Sequence, residues 1–183
     1  WNQGLRNGTA QKPWAWADSE VAARIRFLSL NQERYVMGDA SGESLAFGPG
    51  FVANGPQSSS VQLSDFGSGT AIAGHRDSHF GLLQELQTDD IIEIQRLDKT
   101  TSRFRVTSAI VIDTRYQSLA TPSVNELTLI TCYPFESIVP GGPLRYVVFG
   151  EQLLETSESI ARTLPAHESI LERQDQTKPQ DAT

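Results

Sequence analysis

The 183 residues contain one cysteine, one methionine and three histidines. The single cysteine, Cys132, excludes an internal disulfide, and no Cys/His cluster has zinc spacing, so neither a metal nor another cofactor is expected. Long apolar runs are missing too. None approaches the roughly 20 residues that a spanning helix needs. Basic residues number 15 against 22 acidic ones, a formal charge of −7. That leaves no electrostatic footprint for nucleic acid, and no basic amphipathic stretch suits a membrane surface. The chain begins at Trp1 without a methionine and is read as one from which a leading segment has been removed. What remains, 38% apolar and 20% charged, is an ordinary globular balance at a length that supports one domain with a real core.

Most of that domain reads as short strands. Ile25–Leu30 and Arg34–Met37 pair across Asn31-Gln32-Glu33, and Thr70–Ala73 is a short strand ending at Gly74. Ile91–Ile94 and Phe104–Thr107 pair across Asp98–Thr101, with Ala109–Asp113 continuing or following. Leu127–Cys132 and Leu144–Phe149 flank the turn cluster Pro140-Gly141-Gly142-Pro143. Seven or eight such strands with few helices predict a mainly β fold, a closed barrel or sandwich. Residues 1–12 read as an irregular or helical lead-in. Trp14 and Trp16 cap an open end of the core. Asp18-Ser19-Glu20 before Val21 starts a brief helix or a turn. Gly38–Gly42 reads as a turn, Leu45–Phe51 as apolar residues entering a loop, and Phe80–Leu86 as a short helix. Asn54–Gly69, rich in Ser, Gly, Asn and Pro, is the longest coil and leads into His75, where it would border a site. Residues 154–183 read as a polar helix or loose tail that fades into disorder after about residue 173.

The strand 127–132 delivers Cys132 to its end, and Arg145 starts the next strand. A thiol in that place is either a small buried hydrophobe or a nucleophile, for which a fixed positive charge favours the thiolate and stabilises an oxyanion. The proton partner is His75, also at a strand end, 57 positions before Cys132. A His75/His79 metal pair would need a helix there, and Gly74 and Asp77 favour a turn. His167 lies in the polar tail. Thr131 is a strand residue whose hydroxyl or amide could serve the oxyanion, while Arg76 and Asp77 orient the loop or the imidazole, or form a surface salt bridge.

Leu129-Ile130-Thr131-Cys132, the downstream Arg145 and the upstream Ala73-Gly74-His75 resemble a sortase, a cysteine transpeptidase. Further segments resemble the Gram-negative sortases, class GN: Pro13–Asp18, Ala40-Ser41-Gly42 with Leu45–Gly50, Ala73–Asp77, and Thr131–Phe135 with Pro140–Val148. The resemblance covers residues 13 to about 150. It implies an eight-stranded closed barrel over residues 13–153 with His75, Cys132 and Arg145 catalytic and Thr131, Arg76 and Asp77 supporting. It also implies cleavage of a Leu-Pro-x-Thr-Gly-like C-terminal sorting signal through a thioester, then transfer to an amine acceptor. The partner would be a surface or secreted protein carrying that signal. The enzyme would be a monomer on the periplasmic face of the inner membrane, held only by a removed N-terminal anchor. A cysteine peptidase that only hydrolyses and an inactive β-barrel binding module are the alternatives.

Overall fold

The computed structural model of the chain describes residues 1–9, 12, 19–52, 69–139 and 141–154. Trp14, Trp16, the coil 54–68, His167 and the tail from 155 onward lie outside the described residues. Residues Trp1–Leu153 form one compact unit.

Eight strands close into a barrel: β1 (Val21–Phe27), β2 (Gln32–Met37), β3 (Gly50–Phe51), β4 (Thr70–Ala73), β5 (Ile91–Arg96), β6 (Thr101–Asp113), β7 (Glu126–Cys132) and β8 (Leu144–Gln152). Their order around the barrel is β1-β2-β3-β4-β7-β8-β6-β5. Period-two alternation decides which residues fill it. Ala23, Ile25 and Phe27 of β1, Ile92 and Ile94 of β5, and Leu127 and Leu129 of β7 are all buried in one core with Ile72, Phe80 and Val148. On the outer face Glu93 is buried beneath Arg26 and Arg103, its cross-strand neighbours on β1 and β6, and accepts a hydrogen bond from each. A buried carboxylate needs that double pairing.

Local chemistry sets the turns. Asn31 bends the chain between β1 and β2 at φ 50°, and Lys99 does so between β5 and β6 at φ 72°. There Asp98 accepts hydrogen bonds from the Thr100 amide at 2.8 Å and hydroxyl at 2.6 Å.

The structure differs from the sequence reading in two places. Val21 opens strand β1, where a helix or turn was expected, because Ala23, Ile25 and Phe27 alternate into the core. Helix α2 (Gly42–Phe47), preceded in the chain by α1 (Asn2–Asn7), replaces the expected loop entry. Ser41 caps α2 by accepting from the Ser44 amide at 3.2 Å, a serine cap hidden by the glycine that follows it. Residues Gly81–Glu85 form the expected short helix, with 3-10 geometry. Strand β6 is one strand of 13 residues, so Ala109–Asp113 continues the segment from Phe104, one of the two arrangements expected.

Candidate active site

Three adjacent strands bring the chemistry together. Strands β4 and β7 run parallel, so their C-terminal ends coincide; β8 is antiparallel to β7, so its N-terminal end joins them. Cys132 is the last residue of β7 and pairs in register with Arg145, which sets their Cα atoms about 5 Å apart. The β4–β7 register holds a constant offset from Thr70↔Leu127 to Ala73↔Ile130. The Gly74 amide then donates to the Ile130 carbonyl at 3.0 Å. Continued two residues past the ladder, that register places His75 level with Cys132.

Alternation separates the faces. Leu127, Leu129 and Thr131 turn inward, so Cys132 turns outward on the face it shares with Arg145. The thiol is half-buried rather than sunk in the core, Arg145 is likewise half-buried and His75 is exposed. That is the setting of a thiol available for reaction.

Thr131 lies on the opposite face from Cys132, 2% exposed. Its hydroxyl donates to the Gly74 carbonyl at 2.8 Å. The bond ties the end of β4 to the end of β7 and so holds His75 in relation to Cys132. Gly74 is itself dictated by packing, since a Cβ there would stand 2.8 Å from the Phe80 ring and 3.2 Å from Pro49.

Arg145 is anchored through one nitrogen. Its Nη1 donates to the carbonyls of Gly142 at 2.7 Å and of Leu144 at 2.9 Å. Gly141 and Gly142 have φ of 83° and 91°, with open space around each; backbone conformation, not crowding, calls for glycine. The turn thus bends its own carbonyl back onto the guanidinium.

Arg76 is 8% exposed and makes no salt bridge with Asp77. It reaches into the loop between β7 and β8 instead, where its Nη2 donates to the carbonyls of Ser137 at 2.6 Å and Val139 at 2.7 Å. Asp77 is exposed and acts on His79 by charge. Residues 76–79 form a turn, as Gly74 and Asp77 suggested, so His75 and His79 do not share a helix face. No group of three metal-ligating side chains occurs among the described residues, and no helix there is long and apolar enough to cross a membrane.

Sequence reasoning missed an aromatic cluster that follows Cys132 in the chain. Tyr133, Phe135 and Tyr146 lie at centroid separations of 5.1 to 6.4 Å, Tyr133 stacked on Tyr146 and Phe135 edge-on to both, and Phe135 and Tyr146 also pack on the core. The signal was present as aromatics two apart around Pro134. Burial and the neighbouring Tyr133 push the Tyr146 phenol up. A separate cleft of about 540 Å³, lined by Thr107, Asn125, Phe149 and Glu151 among others, sits at the other end of β7 and β8.

Burial holds the His79 imidazole below its ordinary 6.5; the hydrogen bond to Ala46 opposes this, and Arg34 and His75 add to it. The unfolded chain therefore binds the proton more readily than the native one. His79 contributes stability that is complete above pH 6.5 and is lost as pH falls through that value toward the lowered one. Thermal melts between about pH 7.5 and 5.5 should show a falling midpoint, flattened in His79→Gln; equal slopes would contradict it.

The sortase domain family matches residues 25–153. Among solved structures, sortase A of Corynebacterium diphtheriae superposes with a TM-score of 0.61 at 21% identity, covering 78% of this chain and 65% of that one. Sortase C-1 of Actinomyces oris gives 0.58 at 21% identity over 73% and 72% of the two chains. Sortase C of Streptococcus pneumoniae gives 0.59 at 20% identity over 75% and 70%. The matched region thus spans just under two thirds of the Corynebacterium protein's length. No curated protein matches the sequence.

Proposed function

The chain belongs to the sortase family, and from that premise we propose that it is a cysteine transpeptidase acting on a C-terminal sorting signal of the Leu-Pro-x-Thr-Gly type. The observation that carries the reading is the convergence of three strand ends, with Cys132 paired to Arg145 and His75 level with both. The Cys132 thiolate attacks the scissile backbone carbonyl. Arg145 donates to the oxyanion of the tetrahedral intermediate, being a cation that keeps its protons. The C–N bond then breaks, the His75 imidazolium gives its proton to the leaving amine, and a thioester joins the substrate's N-terminal part to Cys132. An incoming amine gives a proton to the neutral imidazole, attacks the thioester carbonyl and releases the thiolate. Water in its place yields hydrolysis.

The finer assignment is to class GN. It is supported by the segments Ala40-Ser41-Gly42, Ala73–Asp77 and Thr131–Phe135, and it carries with it a catalytic domain that faces the periplasm from a single N-terminal anchor. The substrate would be a surface or secreted protein bearing the signal.

Intact mass spectrometry of the chain with a Leu-Pro-x-Thr-Gly peptide tests the chemistry. The expected result is a covalent adduct of the peptide's N-terminal fragment that a primary amine discharges as an amide. Fast iodoacetamide labelling of Cys132 without any adduct would overturn the motif, and slow labelling would overturn the nucleophile.

A further inference from the structure

We propose that Arg76 is a positioning residue whose guanidinium sets the loop between β7 and β8 over the reactive end of the barrel, and that Ile138, at the tip it presents, is an apolar contact for the peptide substrate. Three observations converge. First, Arg76 is 8% exposed and has no carboxylate partner among the described residues; a buried cation with carbonyl acceptors is costly, so its bonds are specific to their place. Second, one nitrogen takes both acceptors, the carbonyls on either side of Ile138, while the Ser137 hydroxyl donates to Val139 O at 3.3 Å. Two flanking carbonyls drawn toward the barrel leave the residue between them outside. Ile138 is 96% exposed and Val139 67%, an apolar tip that contributes nothing to the core.

Third, the loop has the reactive groups at its two roots. It leaves β7 at Cys132 and enters β8 at Leu144-Arg145, and Arg76 follows His75 directly. One side chain therefore couples the proton carrier's turn to the segment joining the nucleophile to the oxyanion donor. Its Nη2 donates to both loop carbonyls, so it acts through the loop it holds. The part played by Ile138 rests on the sorting-peptide reading above; the holding of the loop does not.

The test has two arms on the full chain. In the first, chymotrypsin cleavage after Phe135 is followed by mass spectrometry in wild type, Arg76→Met and Arg76→Lys, with thermal midpoints measured alongside. Release of two charge-assisted bonds should speed that cut about tenfold or more in Arg76→Met, with the midpoint little changed and Arg76→Lys in between. An unchanged rate overturns the proposal. Should Arg76→Met fail to fold, Arg76→Lys decides: its shorter reach loosens one bond, and a rate equal to wild type overturns the assignment. In the second arm, cleavage of a Leu-Pro-x-Thr-Gly peptide is measured at steady state. KM should rise several-fold in Arg76→Lys and in Ile138→Ser with kcat nearly kept, as for a lost binding contact, and Ile138→Ser should leave the Phe135 cut slow. A fall in kcat alone would place Arg76 with His75 instead and overturn the loop assignment. A wild-type chain that cleaves no such peptide overturns the sorting-signal reading, and the first arm then decides Arg76 by itself.

Discussion

Replacing Cys132 with alanine is expected to abolish both cleavage and transfer while the barrel stays folded. Loss of a covalent nucleophile removes the acyl-enzyme route outright, a drop on the order of 10⁴-fold to 10⁶-fold in comparable systems. No thioester adduct should form. The fold should survive because the thiol is half-buried on the outer face, whereas Leu127 and Leu129 on the same strand are essentially fully buried and carry its packing. A substitution away from the core costs about 1 kcal/mol or less. Peptide cleavage by chromatography and a thermal melt read the two effects separately. Turnover close to wild type would remove Cys132 from the mechanism; an unfolded variant would show that the thiol is a packing residue.

Much of that candidate site is legible in the sequence, because strand ends leave local marks. The alternation from Leu127 to Cys132, Pro134 after it and the Gly141-Gly142 turn together announce a strand that ends at a thiol and another that begins near Arg145. The register, Cys132 against Arg145, is not a local property; it is set by how Leu129 and Val148 pair in the core. His75 is a sharper case. Its separation from Cys132 was countable, but only the parallel pairing of β4 with β7 gives that separation meaning, and parallel neighbours are joined by long crossovers that a sequence does not display. Arg76 shows the limit in another form. Beside Asp77 it reads equally well as half of a surface ion pair, and only burial against the loop carbonyls distinguishes the two. Helix α2 was lost to Gly42, which reads as a turn until the Ser41 cap is seen to close on Ser44.

Arg145→Lys should be nearly as damaging to catalysis as Arg145→Ala, although it keeps the charge. The guanidinium is a rigid fork. Its Nη1 is occupied by the Gly142 and Leu144 carbonyls, which fixes the plane, and its Nε and Nη2 carry no hydrogen bond among the described residues. On the proposed mechanism those remaining donors would serve an oxyanion formed at Cys132 on the neighbouring strand, with the side chain already ordered by its Nη1. A lysine ammonium is one centre. Once it takes the turn carbonyls it has moved away from the oxyanion, and once it takes the oxyanion it releases the turn. Removing one oxyanion donor costs about 10²-fold to 10³-fold in kcat, so Arg145→Ala is expected in that range and Arg145→Lys within about tenfold of it. The loss should fall on kcat, since the contact strengthens as charge develops. Steady-state kinetics of peptide cleavage decides between two uses of the same charge. If lysine restores wild-type turnover, the arginine serves only as a positive field for the thiolate; if it does not, the planar fork, held by the Gly141-Gly142 turn, is what the chemistry uses.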